Sequence, residues 1–177
     1  VLIMKGVNPW LTVLVALVAG LLAGAVTGWL HTLFGIPAIL AGILTQYALY
    51  SINLAIMDFK ANTAISSTTP GLVISGLTVN ESIVVCGLIV IALVALMYWF
   101  FGTELGSSLR ATGCNPEMSK AQGININRMK VLGLAISNGL VAVAGALSSQ
   151  YSGFADVNAG RGSIVIGLAA VIIGEVL

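Results

Sequence analysis

Lys5 and Asp58 bracket a stretch in which no side chain carries a fixed charge. Two apolar runs fill it, at 10–30 and 36–57, parted only by the short connection His31–Gly35. An α-helix needs about 20 apolar residues to cross a hydrocarbon core about 30 Å thick. Inside that core every backbone N–H and C=O must be satisfied internally, and runs of this length do so as helices.

Composition extends the same constraint to the whole chain. Of its 177 residues, 58% are hydrophobic and 7% are charged, whereas soluble domains carry about 25% charged residues. Mean hydropathy is +1.06. The expected fold class is all-α: one polytopic transmembrane helical bundle over 1–177. Further spans are read at 82–102, at 130–151 and, in part, at 162–177. The last would extend only about 24 Å as a helix, short of the hydrocarbon thickness. It is therefore expected to be a span cut short, in an interior piece of a longer membrane protein. The net charge of +1 carries no nucleic-acid signal.

Small and polar residues mark the faces inside these spans. Ala16, Gly20, Gly24 and Gly28 recur every four residues and leave a smooth groove for a close helix neighbour. Trp10 and Trp29 sit near the ends of the same span as interfacial anchors. Tyr98 to Phe101 form an aromatic belt at the end of the third. In the second span, Gln46, Tyr50 and Asn53 share one face, flanked by Thr45, Tyr47 and Ser51. Polar groups at membrane depth face either a watery path or another helix. Both alternatives stand here: a lining of a translocation pathway, or interhelical hydrogen bonds. Asn138 joins the pathway candidates, on a small polar face with Ala142, Gly145 and Ser149.

The long polar segment, 103–129, interrupts this pattern. Asn115 suits an N-cap, Pro116 the N1 position and Gly123 a left-handed C′ position. Glu117 then lies at the positive end of a short helix and Lys120 nearer its negative end. The preceding Leu105–Ala111 is expected to be the end of the third membrane helix. Arg110, Lys120, Arg128 and Lys130 make this the most basic part of the chain, so the loop is expected in the cytoplasm. The loop Asp58–Glu81, with a Pro70–Gly71 turn and an apolar patch at Leu72–Leu77, then falls outside, together with Ser152–Arg161. A charged, capped helix at a membrane face reads as a docking element.

Several chemistries lack their motifs. There is no G-x-x-x-x-G-K-[ST] phosphate loop, no H-E-x-x-H and no G-x-S-x-G. His31 is the only histidine, and Cys86 and Cys114 lie at different depths, too far apart to pair. Glu175 is the lone acid within a span, too little for a proton relay. No catalytic residue, metal site or bound cofactor is expected, and a solute path would need an outside source of energy.

The stretch LRATGCNPEMSKAQGININRMKVLGLAISNGLVAVAGAL resembles the signature region of ABC-importer permeases of the branched-chain amino-acid and ribose type. The flanks VTGWLHTLFGIPAILAGILTQYALYSINLAIM and YSGFADVNAGRGSIVIGLAAVIIGEVL resemble the subgroup assigned to aromatic amino acids such as tryptophan. The resemblance implies a permease subunit, with family sequence on both sides of this piece. It implies a cytoplasmic ABC ATPase that uses the ATP, an extracytoplasmic substrate-binding lipoprotein and a second permease subunit, all at a bacterial inner membrane. Arg110, Asn115, Pro116, Glu117, Lys120 and Gly123 would then form the coupling helix seated in the ATPase. An amino acid is the expected cargo, with a sugar or nucleoside as the alternative. A gradient-driven transporter or channel, and an assembly subunit without a pathway, are the rival classes.

Overall fold

The structure, a computed structural model, describes residues 7–64, 79–160 and 162–176. The Pro70–Gly71 turn, the Leu72–Leu77 patch, Lys5 and Arg161 lie outside the described residues.

Helix α1 spans Pro9–Phe34. Asn8 starts it, its Oδ1 accepting the Trp10 N–H at 3.1 Å. It runs past Leu30, so the connection expected at His31–Gly35 narrows to the residues around Gly35. Gly35 stops the helix at φ +64, a conformation that glycine takes without a Cβ penalty. His31 clamps the turn: its Nδ1–H donates to the Ile36 carbonyl at 2.6 Å. Helix α2, Ala38–Ile56, then runs back along α1. Next come β1 (Asn62–Ala64), α3 (Val79–Gly102), α4 (Glu104–Cys114), α5 (Pro116–Ala121), α6 (Ile126–Ser152), β2 (Phe154–Asp156) and α7 (Ser163–Val176). Among the described residues four helices, α1, α2, α3 and α6, are long and apolar enough to cross a membrane. Helix α7 has 14 residues, about 21 Å of rise.

The principal packing is antiparallel, α1 against α6, and the glycine repeat makes it. A Cβ on Gly20 would lie 2.5 Å from the Ala142 Cβ, one on Gly24 2.7 Å from the Ala135 Cα, and one on Gly28 2.7 Å from the Val131 Cα. Only hydrogen fits at these positions. From the other side, Leu17 and Leu21 reach over Gly139. Helix α2 attaches to α1 by a smaller contact, with Ala41 and Thr45 buried. Thr27 Oγ1 donates across to Thr45 Oγ1 at 2.9 Å, and Thr45 donates on to the Ala41 carbonyl at 2.9 Å. An interhelical hydrogen bond of this kind contributes about 0.6 kcal/mol in a membrane.

Among the described residues the buried apolar side chains are Ala41 and Val143. The rest of the buried set is threonine, serine, glycine and Gln150, while leucines, isoleucines and valines point outward. That inversion suits a lipid solvent. Hydrocarbon gives apolar side chains no reason to cluster, so close contact between small residues drives association. The small face expected on α6 is only partly used: Asn138 and Ala142 meet α1, but Gly145 has open space beside it.

An antiparallel ladder absent from the sequence-based expectations joins two loops. Asn62, Thr63 and Ala64 pair with Asp156, Ala155 and Phe154, and the Val157 N–H donates to the Ala61 carbonyl at 3.1 Å. It gathers the α2–α3 and α6–α7 connections at one end of the bundle, in agreement with the same-side placement expected from charge. The α1–α2 turn and the α4–α5 segment occupy the other end.

The seam makes a quantitative demand. Gly24→Ala should overpack it, at a cost of about 1–3 kcal/mol. Gly42→Ala, where an added Cβ meets nothing within 4 Å, should leave stability unchanged or improve it. Thermal unfolding of the detergent-solubilised protein, followed by far-UV circular dichroism, compares the two. Equal midpoints would refute the seam.

Candidate functional site

The polar segment folds as two helices rather than one. Helix α4 is not the emerging end of the third span, as Leu105–Ala111 suggested. Thr103 interrupts the chain after α3 and starts a new helix: its Oγ1 accepts the Gly106 N–H at 3.3 Å and donates to the Phe100 carbonyl at 2.6 Å. Gly106 permits the sharp fold-back, because a Cβ there would lie 2.5 Å from the Phe101 Cα. The far side of α4 rests on α6, where Leu109 covers Gly133. Helix α4 is thus held by contacts on both α3 and α6.

Asn115 joins α4 to α5 and serves both. Its N–H donates to the Ala111 carbonyl at 3.0 Å and closes α4. Its Oδ1 accepts the Met118 N–H at 3.0 Å and opens α5. Between these bonds its backbone is extended, φ −151 and ψ 98. Pro116 follows at the first helical position, where no N–H is required. Ser119 is buried, and its Oγ donates to the Asn115 carbonyl at 3.0 Å.

The end of α5 is a Schellman motif. The Gly123 N–H donates to the Lys120 carbonyl and the Ile124 N–H to the Ser119 carbonyl, each at 3.0 Å. Gly123 takes the left-handed position at φ +82. Asn125 then caps α6, its Oδ1 accepting the Arg128 N–H at 3.1 Å. Every helix boundary from Thr103 to Ile126 is closed by a specific hydrogen bond.

This geometry brings Arg110, Asn115, Pro116, Glu117, Lys120 and Gly123 into one continuous surface element, and all are exposed. Among the described residues none of Arg110, Glu117, Lys120, Arg128 and Lys130 forms an ion pair. Their charges are available to a partner. Met118 adds an apolar contact at the tip, 59% exposed. The sequence reading passed over Met118, Thr103 and Asn125. A methionine flanked by polar residues, and cap-forming side chains just before helical runs, were the signals.

The pathway candidates do not converge. Gln46 and Asn53 are exposed on α2 and Tyr50 is half-buried, on a face turned away from the α1 contact at Ala41 and Thr45. Neither Gln46 nor Asn53 makes a side-chain hydrogen bond to another helix among the described residues. Asn138 does not join them. It lies in the α1–α6 seam opposite Gly24, and its Nδ2 donates to the Leu134 carbonyl at 2.9 Å. A packed seam leaves no room for solute there. Gln150, unremarked in the sequence, is 1% exposed, and neither of its amide atoms has a partner among the described residues.

The family described as the permease component of the branched-chain amino acid transport system matches residues 1–176. A tyrosine transport system permease protein of Clostridioides difficile (strain R20291) is 42% identical over 98% of this chain and 57% of its own length. An uncharacterised protein of Rickettsia prowazekii (strain Madrid E) is 34% identical over 90% of this chain and 56% of its own. A fructose import permease protein of Rhizobium meliloti is 26% identical over 97% of this chain and 49% of its own. The chain therefore spans about half the length of the curated relatives it matches. No solved structure matches it.

The caps of α5 should be separable by amide hydrogen exchange. Asn115→Ala removes the N-cap, worth about 1 kcal/mol, and should speed exchange at Met118 to Ala121 about fivefold. Gly123→Ala forces a side chain into the left-handed region at about 1–2 kcal/mol and should act on the same amides. Unchanged protection in both variants would show that packing on α6, not capping, holds α5.

Proposed function

The chain belongs to the family of permease components of branched-chain amino acid transport systems, and on that premise we propose that it builds part of the solute channel of an ATP-binding-cassette importer. The observation that carries this is the α4–α5 pair: doubly capped, held on α3 and α6, and displaying unpaired charges at the more basic end of the bundle. A stiff element of this kind transmits a push that a floppy loop would absorb.

In this proposal a cytoplasmic ABC ATPase seats α5 in a groove. Arg110, Glu117 and Lys120 supply charged contacts, Met118 an apolar one, and Asn115 and Pro116 set the angle between the two helices. The ATPase binds and spends the ATP. Closure of the ATPase dimer drags α4–α5, and α6 carries the displacement to α1 through the glycine seam. An extracytoplasmic binding lipoprotein delivers solute at the ladder end, and a second permease subunit completes the channel in the bacterial inner membrane. The Gln46, Tyr50 and Asn53 face of α2, on which Gln46 and Asn53 are exposed and Tyr50 is half-buried, is the proposed wall of the pathway.

An amino acid, aromatic by preference, is the proposed cargo, supported by the name of the relative at 42% identity. A sugar cargo has the weaker support of the fructose permease at 26%.

Pro116→Gly combined with Glu117→Lys should abolish co-purification of the ATPase and solute-stimulated hydrolysis, while the protein still inserts. Intact coupling would overturn the proposal, as would labelling of the exposed Cys114 by an impermeant maleimide added outside intact cells. Gln46→Leu with Asn53→Leu should leave ATPase docking intact but reduce uptake of labelled tyrosine. Full uptake in that variant would assign the α2 face to packing instead.

A further inference from the structure

Gly28 against Val131 is the last of the close glycine contacts between helices α1 and α6. A cleft of about 460 Å³ opens between them at the end that bears α4 and α5. Trp29, Thr32 and Leu33 form one wall; Asn127, Arg128 and Leu132 form the other. Because the helices run antiparallel, the lining is graded with depth. Trp29 and Leu132 lie deeper along the span, while Thr32, Asn127 and Arg128 lie nearer its end.

Charge is one-sided. Among the described residues no acidic side chain lines the cleft, and the exposed Arg128 has no ion-pair partner. A guanidinium offers a planar fork of donors that matches phosphate oxygens. Trp29, 58% exposed, offers the broad apolar face of its indole about one turn deeper than Thr32 and Leu33. Below the cationic rim the walls are mainly apolar, which a free phosphate ion would not need but an acyl chain does. Basic pockets between membrane helices hold anionic headgroups by this combination.

We propose that the α1–α6 cleft binds an anionic phospholipid, with Arg128 on the headgroup phosphate and Trp29 and Leu132 along the acyl chain. The site is separate from the α4–α5 docking surface and does not depend on what the channel carries. An occupied cleft would splint α1 and α6 where their glycine seam ends.

Native mass spectrometry of the full-length protein, given equimolar phosphatidylglycerol and phosphatidylcholine, tests it. The expected result is retained phosphatidylglycerol with a preference of about fivefold, as one basic side chain near anionic lipid supplies. Arg128→Gln should erase the preference and Arg128→Lys should keep part of it. Leu132→Trp, which keeps the charge but fills the cleft, should also erase it. Lys130→Gln, two residues along and so on another face of α6, should change nothing. Absence of a preference, including through burial of the cleft by other parts of the full-length protein, would overturn the proposal. So would a preference that survives Arg128→Gln, or one that Lys130→Gln weakens equally.

Discussion

Where Gly20, Gly24 and Gly28 face Val131, Ala135 and Ala142, two helix backbones approach more closely than larger side chains allow. In water such a contact would be minor beside the burial of leucine. In lipid it is the reverse, because the tails are as apolar as leucine and only fit and dispersion distinguish one neighbour from another. The other placements descend from this contact. Helix α2 hangs on α1 through Thr27 and Thr45. Helix α4 rests on α6 through Leu109 over Gly133, and α5 follows α4 through Asn115. The orientation of the α4–α5 surface is thus traceable to three missing methyl groups on α1.

The α4–α5 element combines stiffness with unspent charge. Each of its ends is satisfied internally, so docking need not order a loop and pays little conformational entropy. Its basic and acidic side chains are exposed and unpaired among the described residues, so a partner could gain charge-assisted hydrogen bonds without first breaking ion pairs. The single extended residue at Asn115 fixes the angle between a helix lying on the bundle and a helix presented outward. One side chain and one backbone N–H hold that angle.

What could be read ahead of the structure followed the reach of each signal. Span number, the glycine groove and the caps of α5 are encoded within a few residues of one another, and these appear where expected. The cap assignments at Asn115, Pro116 and Gly123 rest on local backbone chemistry that tertiary packing seldom overrides. Helix ends were less legible: α1 continues to Phe34 because Gly35, not His31, supplies the stop. The separate start of α4 was missed because Thr103 lies between apolar residues and a polar run, where a hydropathy change hides a cap. The packing of Asn138 against α1 was illegible for a different reason. Periodicity says which residues share a face, but not which neighbour that face meets, and α6 turns this one to α1. The ladder was invisible because its strands are three residues each and pair across most of the chain.

That ladder has a consequence for how such a bundle tolerates change. Its rungs are main-chain bonds, and main-chain bonds do not read side-chain identity. The two connections it joins can therefore exchange nearly every residue while staying fastened, provided that no proline replaces a donor such as Val157. Such loops are free to diversify, while the helices beneath keep one geometry.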